Sequence, residues 1–113
     1  MTIRVTTTVA KTLAAFLNEP DAPQYGMALM DQTGLASGTL YPILMRLQRE
    51  GWLEASIEDI DPAVEGRPRR KNYVLTQTGR SAARQALAEL YEATRVGNRS
   101  IRSTGRAQPA TQQ

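Results

Sequence analysis

The sequence predicts a mainly α-helical fold with one small β-hairpin, and three observations support this prediction. Apolar residues recur at helical spacing in the segments that precede residue 51. Two short segments that mix apolar and polar residues, 52–58 and 71–76, read as a pair of strands. Helical spacing then returns in residues 77–96. At 113 residues, the chain is long enough for one small domain followed by a tail.

Two helices are predicted before a short turn at residues 34–36. The first covers residues 4–18 and ends before Pro20, because proline cannot continue a helix. The second covers about residues 25–33 and is followed by Gly34, which is free to take the positive φ of a helix end. A turn of three residues that begins with this glycine, 34–36, leads into the third helix.

The third helix is predicted to start at an N-cap on Ser37 and to reach about Glu50, where Gly51 closes it. Its apolar residues fall on one stripe and are expected to face the core: Leu40, Ile43, Leu44 and Leu47. The opposite face carries hydroxyl groups and arginines, which suit contact with base edges and phosphates. An ordinary polar surface is the alternative for this helix taken alone.

The loop between the two strands is acidic at its start and basic at its end. We expect the acidic stretch, 58–65, to be solvated, with a cation site or carboxylate catalysis as alternatives, although it lacks the residue order of a calcium loop. The basic end, 66–71, forms the tip of the hairpin. Trp52 is expected to anchor the base of the hairpin in the core, in preference to stacking on a ligand.

A fourth helix, 77–96, is predicted with Thr76 or Thr78 as its cap. Its residues spaced by four, three and four positions are typical of helices that pack on each other: Ala83, Leu87, Leu90 and Thr94. From Gly97 onward no apolar period remains, so a flexible tail is expected.

The absence of cysteine and histidine excludes several classes of function. The chain cannot build Ser–His or Cys–His nucleophilic pairs, nor a zinc site from Cys or His ligands. No disulfide can form, and no apolar run approaches the length of a membrane span. We therefore expect a cytoplasmic protein that is not an enzyme, holds no metal or other cofactor and does not bind a membrane.

Charge is divided unevenly along the chain. Residues 1–65 carry four basic and nine acidic residues, whereas residues 66–113 carry ten basic and two acidic ones. Such asymmetry indicates a polyanionic partner, either nucleic acid or a membrane surface. A surface that only improves solubility is the alternative.

The order of helix, helix, short turn, helix and β-hairpin is that of a winged helix-turn-helix, in which the hairpin is called the wing. The third helix, the recognition helix of this fold, would enter the major groove of DNA. The basic hairpin tip would reach the DNA backbone or the minor groove beside it.

Three strings of residues also resemble PadR-like transcriptional regulators. They are Tyr25-Gly26 before the second helix, the segment from Ser37 to Leu47 with the Glu50-Gly51-Trp52-Leu53 that follows, and the segment from Gly66 to Arg80. The resemblance covers about residues 5–95 and implies a homodimeric winged-helix repressor that binds a two-fold symmetric operator. A protein-interaction module without DNA binding remains the alternative function.

Carried over by position, the resemblance implies three groups of DNA-binding residues. Those in or beside the major groove are Ser37, Gly38, Thr39, Tyr41 and Pro42. Those facing phosphates are Tyr25 and Arg46, and those on the wing are Arg67, Arg69, Arg70 and Lys71. Partial burial is the alternative for both tyrosines, a surface ion pair is the alternative for Arg46, and Gly26 is expected to serve backbone packing.

In such regulators the first and last helices form the dimer, which gives the expected dimerisation residues Val9, Leu13, Ala83, Leu87, Leu90, Tyr91 and Thr94. The expected organisation is a DNA-binding domain at 1–76, a dimerisation helix at 77–97 and a flexible basic tail at 98–113, which would add affinity for DNA of any sequence. Whether a small-molecule effector binds is left open, because Tyr91 is the only aromatic residue of the last helix.

Overall fold

The computed structural model describes the backbone of residues 3–105 and the side chains of residues 3–95. In chain order the elements are α1 (Thr7–Asn18), β1 (Gln24–Tyr25), α2 (Gly26–Thr33), α3 (Ser37–Arg49), β2 (Leu53–Ile57), α4 (Pro62–Glu65), β3 (Lys71–Leu75) and α5 (Gln77–Gly105). The mainly helical fold with a small antiparallel sheet confirms the predicted fold class.

The core lies where α1, α2, α3, the sheet and the start of α5 meet. Its largest fully buried side chains include Phe16, Leu13, Leu29, Leu40, Leu44 and Leu47. The predicted inner face of α3 is confirmed, with Ile43 partly buried beside the three leucines of that helix. Burial of each such side chain contributes roughly 1.5–3 kcal/mol to folding, so the apolar stripe of α3 fixes which face of this helix remains in solvent.

The sheet has three strands in the order β1-β3-β2, and all neighbours are antiparallel. The hairpin of β2 and β3, with the loop between them, forms the wing (residues 53–75). The strand β1 was not predicted from the sequence. It pairs Gln24 with Tyr73 and Tyr25 with Asn72, and this short pairing joins the entrance of α2 to the wing.

The start of α3 differs from the prediction. The N-cap residue is Ala36, and no side chain caps the helix. The amides of Thr39 and Leu40 donate to the Ala36 carbonyl, at 3.0 and 2.9 Å. The helix therefore begins one residue earlier than a Ser37 cap requires, because the turn after Gly34 (φ 75°) already delivers Ala36 in the cap conformation. The predicted N-cap role of Ser37 is wrong.

The acidic stretch contains one helical turn that the sequence analysis did not predict. The Asp61 carboxylate accepts a hydrogen bond from the Ala63 amide at 3.0 Å and caps α4. Pro62 occupies the first helical position, where its missing amide costs nothing, and Gly66 ends the turn at φ 73°. This turn reverses the chain and directs the basic run 67–71 back toward the sheet.

Thr76 joins the wing to α5 and is the residue that caps this helix, one of the two caps predicted. Its hydroxyl accepts from the Gly79 amide at 2.9 Å and donates to the Gly51 carbonyl at 2.6 Å. Its own amide donates to the carbonyl of Trp52, which is partly buried against the core as expected. The start of α5 is therefore fixed to the end of α3.

The helix α5 is longer than predicted, since its backbone stays helical to Gly105. The predicted end of this helix near residue 96 is therefore wrong. A glycine inside a helix costs about 1 kcal/mol, and adding residues to an existing helix is far easier than starting a new one, so Gly97 does not end it. The rest of the predicted tail, 106–113, lies outside the described residues.

Candidate nucleic-acid interface

The outer face of α3 is exposed and largely polar, with Met45 as an exposed apolar residue on it. All six of its predicted DNA-binding residues are exposed: Ser37, Gly38, Thr39, Tyr41, Pro42 and Arg46. The first three occupy the first turn of α3, where the Thr39 amide already donates to the Ala36 carbonyl and the amides of Ser37 and Gly38 precede this first bond of the helix. This surface is open to a partner along the full length of the helix.

A cleft of about 210 Å³ joins this face to the wing. Tyr41 lines the cleft from α3, and Arg70 and Lys71 line it from the start of β3. Tyr73 forms its floor and is 4% exposed; burial, followed by the neighbouring Tyr41, raises the pKa of the Tyr73 hydroxyl. The recognition helix and the basic end of the wing therefore lie side by side.

Tyr25 lies in the same cleft and is half-buried. The guanidinium carbon of Arg70 sits 4.1 Å from the centre of its ring, within the range of a cation–π contact. Because β1 pairs with β3, Tyr25 lies opposite Asn72 and close to the basic run. The ring of Tyr25 is partly buried, as one prediction for this residue required. Its side chain also lies at the edge of the candidate interface, which is compatible with the other prediction, contact with a phosphate.

Arg67 has a different environment from the other cations of the wing. Its Nη1 and Nη2 donate to the two carboxylate oxygens of Glu58 at 2.7 and 3.0 Å. The same carboxylate accepts from the Arg70 amide at 3.1 Å. Hydrogen bonding from Arg67 lowers the pKa of Glu58 from the usual 4.5 to about 2, and the same bond raises the pKa of Arg67. The carboxylate of Glu58 compensates the charge of Arg67, so this ion pair holds the two ends of the wing loop together.

The remaining cations of the basic run carry uncompensated charge. Arg69 donates from Nε to the neutral carbonyl of Ile60 at 2.9 Å, which orders the side chain without cancelling its charge. Lys71 is exposed, and its Nζ lies 5.7 Å from the centre of the Tyr73 ring. Among the described residues, neither side chain forms a salt bridge. With Arg70, they give this side of the wing three positive charges.

Three contributors to the cleft were not predicted as site residues, namely Gly26, Met27 and the buried Tyr73 described above. Met27 is 69% exposed at the cleft, where nothing in its sequence context distinguishes it from a core residue of α2. Gly26 is buried beneath Tyr41, and a Cβ atom at this position would lie 1.9 Å from the Tyr41 hydroxyl. The prediction that Gly26 serves packing is confirmed, and the packing partner is a residue of the candidate interface.

The predicted dimerisation residues divide into two groups. Val9, Leu13 and Ala83 are buried in the core of the single chain, at 4%, 0% and 0% exposure, because α1 packs directly on α5. Their side chains are not part of the surface open to a second copy. Leu87 is partly buried, whereas Leu90, Tyr91 and Thr94 are exposed. Only this second group remains in the dimerisation hypothesis.

Comparison with known proteins identifies the family. The family model described as the transcriptional regulator PadR-like family matches residues 15–85, from the middle of α1 through the wing and into α5. The chain belongs to the PadR-like family. The matched PadR-like region includes the recognition helix and the whole wing, which are the elements that form the cleft.

Solved structures support the PadR-like fold. A PadR-like transcription factor from Bacteroides fragilis aligns with a TM-score of 0.64 and 23% identity over 82% of this chain and 91% of that one. A PadR family regulator from Eggerthella lenta aligns with a TM-score of 0.67 and 21% identity over 84% and 85%. The PcaV transcriptional regulator from Streptomyces coelicolor aligns with a TM-score of 0.65 and 24% identity over 80% and 61%.

The search of curated proteins found no significant match to this PadR-like chain. Within the described residues, its helices include none that is both long and apolar enough to cross a bilayer. Because PadR-like proteins are transcriptional regulators, the outer face of α3 and the adjacent wing are the candidate DNA-binding surface.

Proposed function

We propose that this protein is a sequence-specific DNA-binding regulator in which α3 enters the major groove and the wing contacts the neighbouring backbone. The observation that carries the proposal is the cleft in which Tyr41 of α3 meets Arg70 and Lys71 of β3. A reader of duplex DNA needs base-contacting and phosphate-contacting groups on the same side of the molecule. Membership of the PadR-like family supports this function.

Residues of the first two turns of α3 are assigned to the major groove, where all four base pairs can be distinguished. Thr39 and Tyr41 are the side chains proposed to touch base edges, with Ser37, Gly38 and Pro42 beside them. Tyr25, Arg46, Arg69, Arg70 and Lys71 are assigned to phosphates. Arg67 is left out of the contact surface, because Glu58 already occupies both of its terminal nitrogens.

The regulator is proposed to act as a homodimer through α5. Leu90 and Tyr91 are exposed by 40% and 64% on this helix. Together with Leu87 and Thr94 they follow the spacing of one helical stripe, which suits packing against a second copy. A symmetric dimer would bind a palindromic operator with its half-sites about one helical turn, roughly 34–36 Å, apart. Repression would follow from the bound dimer blocking access to a promoter.

The test is a selection of bound sites from random double-stranded DNA with the full-length protein. The expected result is an enriched sequence with two inverted half-sites. Fluorescence anisotropy on that sequence then compares the parent with the variant Arg69→Ala/Arg70→Ala, which should bind more weakly and with a flatter dependence on salt. If selection enriches no sequence, DNA reading by α3 is rejected and a protein-interaction module becomes the better description.

A further inference from the structure

Met45 is the most exposed large apolar side chain of α3. It is 60% exposed, whereas the residue before it, Leu44, is fully buried. Pro42 and Tyr41 lie three and four positions earlier in the same helix, and residues at these spacings are neighbours on a helix surface. Both are exposed as well. These three residues form an apolar patch on a face that is otherwise polar, and we call it the α3 patch (Tyr41, Pro42 and Met45).

Positive charge surrounds the α3 patch. Arg46 and Arg49 follow it on the same helix, and both side chains are exposed. Among the described residues neither of them forms a salt bridge, and the sequence of α3 contains no acidic residue. On the side of the wing, Arg70 and Lys71 line the cleft that Tyr41 also lines. The patch is therefore an apolar spot within a cationic surface.

Such a surface is complementary to a polyanion that presents apolar groups between its charges. The major groove of duplex DNA has this composition, because phosphates follow its edges and the C5-methyl group of thymine projects into it. Of the four bases, thymine alone presents a methyl group in this groove. An apolar side chain that reaches the groove therefore distinguishes thymine from bases that offer only donors and acceptors.

We propose that Met45, with Pro42 beside it, contacts the C5-methyl group of one thymine in each half-site of the operator and thereby determines base specificity. This inference rests on the proposed function, since it takes α3 to lie in the major groove. Met45 and Thr39 are six residues, or about 9 Å, apart along the helix axis. Base pairs are spaced by about 3.4 Å, so the two side chains are assigned to different base pairs.

The size of the effect follows from the burial of a single methyl group. Uracil pairs with adenine as thymine does and keeps the same hydrogen-bonding groups in the groove, so it lacks the methyl group alone. Burial of one such group changes affinity about fourfold. A dimer that reads two half-sites should therefore lose about fifteenfold when both symmetry-related thymines are replaced.

The test uses the full-length protein and the DNA sequence enriched by selection. Each thymine is replaced in turn by deoxyuridine, symmetrically in both half-sites, and fluorescence anisotropy measures affinity at constant salt. For the parent, one position should show a loss of about fifteenfold. Met45→Gln should bind the thymine and uracil forms of that position equally, because its polar amide gains little from a methyl group. Met45→Leu keeps an apolar side chain and should keep the difference.

Met27→Gln is the matched control, because Met27 is 69% exposed, lies outside α3 and lines the cleft at the wing. It should retain the full preference for thymine over uracil, whatever its effect on overall affinity. Circular dichroism verifies that Met45→Gln is folded, as expected for a change at an exposed position.

A gain of affinity provides a second readout. The thymine–adenine pair at the sensitive position is replaced by cytosine–guanine or by 5-methylcytosine–guanine, whose methyl group occupies the same place in the groove. The parent should bind the methylated form about fifteenfold more tightly than the unmethylated one. Met45→Gln should not distinguish the two forms, and a preference of parental size in this variant would overturn the role of Met45.

Failure of this inference is distinct from failure of the proposed function. If selection enriches inverted half-sites but no uracil replacement weakens binding, or if the half-sites lack thymine, DNA reading by α3 stands and the methyl contact is rejected. A uracil penalty that persists in Met45→Gln would assign the methyl group to another residue and overturn the proposal. If selection enriches no sequence, the proposed function and this inference fail together, and the α3 patch becomes the candidate surface of a protein-interaction module.

Discussion

Arg70 packs its guanidinium group on the ring of Tyr25, at 4.1 Å from the ring centre, and thereby links the basic end of the wing to the entrance of α2. The contact depends on β1, because pairing of Tyr25 with Asn72 brings the ring beside β3. At an exposed site such a contact is worth about 0.5–1 kcal/mol. Its main effect is to hold one cation at a defined place in the cleft.

The first prediction separates the charge of Arg70 from its position. Arg70→Gln removes one phosphate contact per subunit, and therefore two per proposed dimer, so the slope of log affinity against log salt should become shallower by about 1.8. Tyr25→Leu keeps the charge but removes the ring, so affinity should fall while the slope stays the same. Anisotropy over a series of KCl concentrations measures both. Arg67→Gln is the comparison, since its paired charge should leave the slope unchanged, and an unaltered slope in Arg70→Gln would contradict the assignment.

The second prediction concerns the response of folding to acid. Because the pKa of Glu58 is lowered from the usual 4.5 to about 2, its stabilising effect is complete above pH 4.5 and is lost as the pH falls toward 2. Glu58→Gln should therefore be less stable than the parent at pH 7, with the difference shrinking toward pH 2. Urea unfolding followed by circular dichroism at several pH values measures this. Glu54→Gln, at an exposed carboxylate of β2, should behave like the parent, and a constant difference for Glu58→Gln would refute the prediction.

The third prediction concerns the close contact between α5 and the end of α3. A Cβ atom on Gly79 would lie 1.9 Å from the Trp52 carbonyl oxygen. This oxygen belongs to the backbone, so it cannot turn away as a flexible side chain could. Gly79→Ala should lower the free energy of unfolding by about 2–3 kcal/mol, which is typical of overpacking. Gly38→Ala is the control, because a Cβ atom there meets nothing within 4 Å and alanine favours a helix by about 0.5–1 kcal/mol. Equal stability of the two variants in thermal unfolding would contradict the prediction.

The fourth prediction concerns the reading of bases. Thr39→Ala should change the preferred base at one position of each half-site, where a wrong base pair typically costs about 1–3 kcal/mol. Repeating the site selection with this variant measures the change. Gln48→Ala removes an exposed side chain of the same helix that does not line the cleft, and it should select the parental sequence. An unchanged half-site in Thr39→Ala would remove this residue from the list of base contacts.

The fifth prediction concerns the dimer. Leu90→Gln/Tyr91→Gln should convert a dimer into a monomer in analytical ultracentrifugation, because both exposed side chains lie on the proposed stripe of α5. Circular dichroism should stay unchanged, since neither residue belongs to the core. Glu89→Gln is the control, as this position lies about 160° around the helix from Leu87. A double variant that remains dimeric at low protein concentration would show that the interface lies elsewhere.

The parts of the fold that follow from local patterns were predictable. The face of α3 that packs on the core follows from the spacing of Leu40, Leu44 and Leu47, and the positive φ of Gly34 follows from its place after a helix. The strand β1 could not be predicted, because it has two residues and depends on Tyr73, far along the chain. No periodicity exists in so short a segment.

The basic residues of the candidate site were predictable from the sequence, but their different roles were not. The run from Arg67 to Lys71 indicated a basic wing, yet its charges are not equivalent. Glu58 binds Arg67 because the pairing of β2 with β3 continues through the Glu58 amide and the Arg70 carbonyl, and because the turn of α4 reverses the chain between them. The end of α5 was predicted wrongly for a different reason. Residues of low helix propensity can extend a helix that the preceding residues have already formed.

The hydrogen bonds of the Thr76 hydroxyl fix the start of α5, so a small change of angle there moves the far end of the helix by a large distance. With 29 residues, α5 is about 44 Å long. A rotation of about 5° at the Thr76 joint would move its far end by about 4 Å, roughly three-quarters of the 5.4 Å pitch of an α-helix. The start of α5 is also held by the Thr76 amide, which donates to the Trp52 carbonyl, and by packing of α5 on α1. In the proposed dimer through α5, the angle at this joint would set how far apart the two recognition helices lie.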